Sequence, residues 1–153
     1  MMNKNQTYYS KAKTFDKKNH RDRMKPQDIN LNPIAIPDDY IEEAEKIMRR
    51  IYNKITSSKI RSFLSFVSKV YNVENTRTEA TLLQESMDTL EHMRIRVIYE
   101  AGREDSIRMI EFIRDSRIIN YIKSIGNSRK EFIKFARYME ALVAYHKFYG
   151  GRD

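Results

Sequence analysis

The sequence predicts an all-α protein, a compact bundle of about five helices. Apolar residues recur every three or four positions from residue 38 onward, which is the spacing of one buried helix face. Only 4 Gly and 3 Pro occur among 153 residues, and so few turn-forming residues favour long helices over many short strands. The length suits a single domain, and 41% hydrophobic residues suffice for a packed core.

The first two helices are predicted over residues 38–55 and from residues 56–58 to about residue 71. Asp39 followed by Glu42 is a capping pair for the first helix, and Thr56 with its two following serines is a start signal for the second. The predicted buried positions of the two helices are Ile41, Ala44, Met48, Ile51 and Ile55, then Ile60, Phe63, Leu64, Val67, Val70 and Tyr71.

The third and fourth helices follow on either side of a glycine. Thr76 with Glu79 predicts a capping box for a long third helix, and Gly102 fits its C-terminal end. The fourth helix is predicted from Ile107 to Ile122, before the break at Gly126.

The last helix, from Ser128 to about Tyr149, is apolar almost all round. Over 132–149, 13 of 18 residues are apolar when Tyr and Ala are counted. A helix of this kind must be covered on nearly every side, either as the central helix of the bundle or at an interface between subunits. Tyr138, Tyr145 and Phe148 are the candidates for a partner-facing surface.

Residues 1–37 are predicted to form a flexible basic tail ahead of a helical domain over residues 38–153. The tail has eight Lys or Arg against three Asp or Glu, holds all three prolines and shows no helical or strand periodicity. It therefore carries most of the net charge of +8. Tyr8, Tyr9 and Phe15 among these cations suit nucleic-acid binding, and a solubilising extension is the alternative.

Composition argues against several classes of function. With no cysteine, the chain has no disulfide, thiol nucleophile or Cys-ligated metal. No secretory signal and no apolar run near 20 residues are visible, so we expect a cytoplasmic protein. The three histidines lack metal-ligand spacing, the four glycines form no phosphate loop, and we expect no metal or cofactor.

No catalytic constellation is apparent. His20-Arg21-Asp22 is similar to a kinase catalytic loop, but Gln27 stands where the metal-binding Asn belongs and no glycine-rich loop accompanies it. From the residues alone we expect a helical binding or scaffold module. Its net positive charge favours binding to a polyanion.

Four segments then point to a family. They are Thr56-Ser57-Ser58-Lys59-Ile60-Arg61, Ile98-Tyr99-Glu100-Ala101-Gly102-Arg103-Glu104, Phe135-Ala136-Arg137-Tyr138-Met139-Glu140-Ala141-Leu142-Val143-Ala144-Tyr145, and Phe148-Tyr149-Gly150-Gly151. In order and spacing they resemble the small subunit of type III-A CRISPR–Cas effectors, the Csm complex. The resemblance covers about residues 38–153, and the basic tail departs from it.

The resemblance implies a compact all-α subunit without an active site. It implies several copies stacked along an antiviral ribonucleoprotein, beside other Csm subunits, helping to hold target RNA paired to guide RNA. Phosphate contacts independent of sequence suit this role, because base pairing supplies the specificity. The candidate RNA-binding residues are Lys59, Arg61, Arg94, Arg103, Lys134 and Arg137. For Arg103 and Arg137, an ion pair with a nearby Glu is the structural alternative.

Two other interpretations remain open from the sequence. In one, residues 38–71 supply the motif of a helix-turn-helix regulator, although the second helix offers serines and Phe63 rather than base-reading side chains. In the other, the chain is a helical adaptor that binds only protein.

Overall fold

The computed structural model describes residues 24–103 and 107–153, and within them the protein is all-helical. Short 3₁₀ helices occur at Pro26–Asp28 and Tyr52–Lys54. The α-helices are α1 (Tyr40–Ile51), α2 (Ser57–Glu74), α3 (Gln84–Arg103), α4 (Ile107–Ser116), α5 (Ile118–Ile125) and α6 (Arg129–Phe148). In these ranges the pairing of Thr81 with Ser128 is a single isolated bridge, and no strand forms.

The last helix is the centre of the bundle, which was one of the two alternatives predicted for it. α6 packs against α1, α2 and α5, and its apolar side chains fill the core between them. Its buried residues are Phe132, Phe135, Ala136, Tyr138, Met139, Leu142 and His146. Because three helices cover it, α6 needs apolar residues on most of its circumference.

Two of the predicted helix starts are confirmed by their capping bonds. The Thr56 side-chain oxygen accepts a hydrogen bond of 3.2 Å from the amide of Lys59 at the start of α2. Ser128 does the same at 3.2 Å for the amide of Glu131 at the start of α6. Each cap satisfies a backbone donor that the first helical turn leaves without a partner.

The other two capping predictions are wrong. Asp39 stands at the N-cap of α1 without a side-chain capping bond. The Thr76 hydroxyl donates backwards to the carbonyl of Val73, and α3 begins only at Gln84. The box pattern at Thr76 therefore falls in a loop, which a buried carboxylate holds in place.

That carboxylate is Glu74, at the end of α2. Its side chain is fully buried and accepts hydrogen bonds from the amide of Leu83 at 2.9 Å and the hydroxyl of Ser86 at 2.7 Å. Arg77 donates to the other oxygen at 2.7 Å. Arg129 of α6 donates to the Glu74 carbonyl at 2.7 Å. Glu74 thus joins the end of α2 to the starts of α3 and α6.

The predicted fourth helix is two helices, which makes six where about five were expected. Arg117 separates α4 from α5 with a φ of 55°, a left-handed conformation that side-chain-bearing residues rarely adopt. The turn frees the carbonyl of Ser116, which accepts a hydrogen bond of 2.7 Å from the Tyr138 hydroxyl. Because apolar residues continue on both sides of Arg117, periodicity alone gave no sign of the break.

The prediction that residues 1–37 are loosely attached is wrong for residues 24–37. Ile36 is only 3% exposed and belongs to the core. The Asn120 side-chain amide of α5 donates to the carbonyls of Asn30 at 2.9 Å and Asn32 at 2.8 Å. These bonds fasten the segment along α5. Tyr8, Tyr9, Phe15 and the His20-Arg21-Asp22 motif lie outside the described residues.

Candidate nucleic-acid interface

The start of α2 and the last described residues of the chain lie together. The amide of Ser57 donates to the carbonyl of Arg152 at 3.2 Å. Both the amide and the hydroxyl of Ser58 donate to the Asp153 carboxylate at 2.8 Å. The Ser58 hydroxyl and amide bonds, together with the nearby charge of Arg61, hold the pKa of Asp153 below its ordinary value. The first turn of α2 is thus a place where an anion is stabilised.

An open cleft of about 790 Å³ lies beside this junction. Its lining residues are Tyr52, Asn53, Lys54, Ile55, Thr56, Lys59, Arg108, Tyr149, Gly150, Gly151, Arg152 and Asp153. Four of them are basic and one is acidic. Lys54 is already paired with Glu111 at 2.8 Å. Basic residues therefore outnumber acidic ones along the lining of this cleft.

The C-terminal end of α3 adds a second set of charges near Lys59. Glu100 is 4% exposed and pairs with Arg96 at 3.0 Å and Arg103 at 2.9 Å. Burial alone would raise the pKa of Glu100, but Arg103, Arg96 and Lys59 outweigh it and leave that pKa below its ordinary value. Glu100 therefore stays ionised and holds these cations close together.

Three of the six predicted RNA-binding residues come together here. Lys59 lines the cleft. Arg61 is exposed on α2, and its charge helps to lower the pKa of Asp153. Arg103 pairs with Glu100. The ion pair of Arg103 is the structural alternative that the sequence left open for this residue.

The other three are not among the residues that line the cleft. Arg94 pairs with Glu91 on α3. Lys134 of α6 donates to the carbonyl of Ile36 and to the Asp38 carboxylate, both at 3.0 Å, and so ties the entry of α1 to the bundle. Arg137 is exposed on the same half of α6. The ring of His146 contacts Ile55, just before α2. Lys134 lies 12 residues before His146, which is about 18 Å along the helix.

Sequence reasoning missed Lys54, Arg108 and Arg152 as lining residues of the cleft. Lys54 lies in the 3₁₀ helix before α2, Arg108 in the first turn of α4, and Arg152 directly after the glycine pair. Gly150 and Gly151 were the signal that could have found Arg152, because a glycine pair after a helix indicates that the chain turns back.

The expectation of an exposed aromatic surface on α6 needs a correction. Tyr138 is 0% exposed, and its ring packs edge-on against Tyr121 with centroids 5.2 Å apart. Burial raises the pKa of the Tyr138 hydroxyl well above its ordinary value. Tyr145 is half-buried and stacks on Tyr149, whereas Phe148 is 76% exposed. Tyr138 serves the core because its position on α6 faces α5, and the spacing of aromatics alone could not separate the two faces.

Side chains suited to metal ligation are not grouped within residues 24–103 and 107–153. Over these ranges no three or more His, Cys, Asp or Glu side chains are arranged to hold a metal ion. The same part of the chain has no helix of the length and apolar character that crossing a bilayer requires.

Fold and cleft together define a small all-helical protein with a cleft whose lining carries more basic than acidic residues. Residues 36–152 match the family model described as Csm2 Type III-A. The chain is 31% identical over 124 residues to a protein of Mycobacterium tuberculosis (strain H37Rv), with 78% of this chain and 98% of that protein aligned. It is 34% identical over 126 residues to a protein of Streptococcus thermophilus, again aligning 78% of this chain and 98% of the relative.

Both relatives bear the name "CRISPR system Cms protein Csm2". A protein of Enterococcus italicus with the same name is 34% identical over 100 residues, covering 65% of this chain and 71% of that protein. The chain therefore belongs to the Csm2 family, the small subunit of type III-A CRISPR systems, which confirms the resemblance noted in the sequence. As a member, it is a component of a Csm complex that contains other subunits.

Proposed function

We propose that this chain is a non-catalytic subunit that helps hold target RNA paired to guide RNA in a Csm complex. Several copies stack along the complex in this proposal, and the assembly serves antiviral defence. The observation that carries the RNA-binding part is the convergence of separate basic segments at one cleft. Residues 56–61, the end of α3 and residues 148–153 are far apart in sequence and adjacent in the fold.

The chemistry of the cleft suits a phosphate backbone. The first turn of α2 already stabilises the carboxylate of Asp153 with an amide and a hydroxyl. Phosphate oxygens accept the same bonds, and lysine and arginine add charge-assisted contacts without reading bases. Lys59 and Arg61 are the residues we place first in this role, with Arg103 beside them. Lys134, Arg94 and Arg137 stay predictions at separate places on the surface.

The helix-turn-helix alternative finds less support. Phe63 of α2 is fully buried, and the outward positions that include Ser62 and Ser65 carry small hydroxyls. Side chains that hydrogen-bond to base edges in pairs, chiefly Arg, Asn and Gln, are scarce there. Membership of the Csm2 family also favours a guide-directed complex over an independent regulator.

A direct test replaces Lys59 and Arg61 with Gln in the assembled complex and measures target-RNA capture as salt is raised. Removing two phosphate-binding cations should weaken capture and lower the slope of log K against log salt by about 1.5. The matched control replaces Lys46 and Lys130, exposed cations on α1 and α6. Unchanged capture with the cleft variant, or an equal decrease with the control, would argue against the cleft as the RNA surface.

A second experiment tests the assembly itself. The tagged protein is purified gently from its native host, and the associated molecules are identified. We expect several unlike protein subunits together with guide-sized RNA that shares a repeat-derived end. Recovery of the chain alone, bound tightly to one duplex DNA site, would contradict the proposal and support a DNA-binding regulator.

A further inference from the structure

The aromatic ring of Phe148, the last residue of α6, stands in solvent. It is 76% exposed, the highest fraction among the large hydrophobic residues that the structure describes. The ring packs edge-on against Tyr149, with centroids 5.1 Å apart and planes at 78°. Most of its surface is therefore open to a partner, and the core gains little from it.

Tyr149 connects this ring to the basic cleft. It is one of the residues that line the cleft. Its hydroxyl accepts a hydrogen bond from Arg49 at 3.3 Å and donates to the Glu45 carboxylate at 3.4 Å. Its ring stacks on Tyr145, with centroids 6.2 Å apart. Tyr149 is thus held on several sides, and it gives Phe148 a fixed support at the edge of the cleft.

The charges around Phe148 are mostly positive. Lys147 precedes it and is exposed, and Arg152 and Lys59 line the cleft beside Tyr149. An apolar protein surface is a poor partner for a ring among cations, because charged residues are depleted at the centre of protein interfaces. Proteins that bind single-stranded nucleic acid combine these two features, with cations along the backbone and aromatic rings on which bases stack.

We infer that Phe148 is a stacking platform for one unpaired RNA base whose neighbouring phosphates lie against the cations of the cleft. The base must be unpaired because a base inside a duplex is already stacked on both faces and cannot cover the ring. The inference rests on the proposed role of the cleft in RNA binding. It adds the kind of RNA recognised there, a strand with an unpaired nucleotide of any sequence, since every base has a π face.

The test measures binding of a short unstructured single-stranded RNA to the purified full-length protein, by fluorescence anisotropy over a range of salt concentrations. Phe148→Ala should weaken binding roughly tenfold, because the stacking of one base is lost. The slope of log K against log salt should stay unchanged, since no phosphate contact is removed. The helical signal should also stay unchanged, because the ring is exposed.

Replacements of different shape separate stacking from general apolar contact. Phe148→Trp should keep the affinity of the unaltered protein, whereas Phe148→Leu should bind as weakly as Phe148→Ala. Tyr99→Ala is the matched control, because Tyr99 is a 58% exposed aromatic residue of α3 that does not line the cleft. It should bind single-stranded RNA normally. The same RNA annealed to its complement should bind equally well with and without the Phe148 ring.

Three results would overturn the inference. The first is a protein that binds no single-stranded RNA even in low salt. The second is Phe148→Leu binding as tightly as Phe148→Trp, which would indicate a general apolar contact. The third is a Phe148→Ala variant that binds RNA normally but fails to enter the Csm complex, which would assign the ring to another subunit. Substitution of Lys59 and Arg61 changes the salt slope and substitution of Phe148 does not, so failure of this inference is distinguishable from failure of the proposed function.

Discussion

The imidazole ring of His146 lies directly against the α-carbon of Gly151, with no room between them for a methyl group. Nε2 of the same ring is 2.9 Å from the carbonyl oxygen of Ile55, which requires a proton on that nitrogen. The amide of Gly151 donates to the His146 carbonyl at 2.8 Å. These contacts fasten the end of α6 to the residues that lead into α2, and so they support one wall of the basic cleft.

Gly151→Ala should destabilise the protein, because the added methyl group would overlap the buried ring. Overpacking of this kind lowers the free energy of unfolding by about 1–3 kcal/mol. Urea denaturation followed by circular dichroism measures the change. Gly102→Ala is the matched control: its added methyl group meets open space within α3, and we expect a gain of about 0.4–1 kcal/mol. Equal effects of the two substitutions would refute this account of Gly151.

Glu74→Gln should remove part of the acid sensitivity of the fold. Burial alone would raise the pKa of Glu74, but bonds from the Leu83 amide, Ser86 and Arg77 outweigh it and leave the pKa below its ordinary value. The unfolded chain therefore binds this proton more readily than the folded one. The stabilisation is complete above the ordinary pKa of a Glu, about 4.3, and disappears as pH falls towards the folded pKa.

The measurement is the free energy of unfolding of both proteins from pH 7 to pH 3. Glu74→Gln should be less stable at pH 7 by about 1.5–3 kcal/mol, since charge-assisted bonds are removed, and the difference should shrink in acid. Glu85→Gln, at an exposed position of α3, serves as the control. A difference that does not change with pH would contradict the role given to Glu74.

Tyr138→Phe should cost stability without altering the shape of the core. The ring remains, but the Ser116 carbonyl loses its 2.7 Å partner in a buried position. An unsatisfied buried acceptor costs about 1–3 kcal/mol, which thermal unfolding would register. Tyr99→Phe alters an exposed ring and should change stability by less than about 0.5 kcal/mol. Unchanged stability of Tyr138→Phe would show that this hydroxyl does not fix the turn at Arg117.

Asn120→Ala should release residues 24–37 from α5 while the bundle stays folded. Each of the two side-chain bonds to this segment contributes about 1 kcal/mol, so hydrogen exchange there should quicken by roughly tenfold or more. Mass spectrometry of peptides covering residues 24–37 gives the rate. Asn72→Ala, on the exposed face of α2, should leave that rate unchanged.

Sequence patterns predicted the helices because burial of an apolar face repeats with the helical period, and they gave the central place of α6 as one of two alternatives. They failed where one contact decides the local structure. The turn at Arg117 depends on the Tyr138 hydroxyl 21 residues later, and the loop after Glu74 depends on a carboxylate that looks solvent-exposed in sequence. Resemblance to a family drew attention to Lys59, Arg61 and Arg103. Only the fold could show that Lys134 is bound to Asp38 and that Arg108 and Arg152 share a cleft with Lys59.

The position of α6 also governs when the protein can acquire its fold during synthesis. α1, α2 and α5 all pack against this last helix, so each emerges from the ribosome with an apolar face that has no covering yet. Until α6 is translated and released from the exit tunnel, these faces are open to aggregation or to chaperones. The bundle should therefore close in one late step, and a nascent chain stalled before residue 129 should remain sensitive to protease along its whole length.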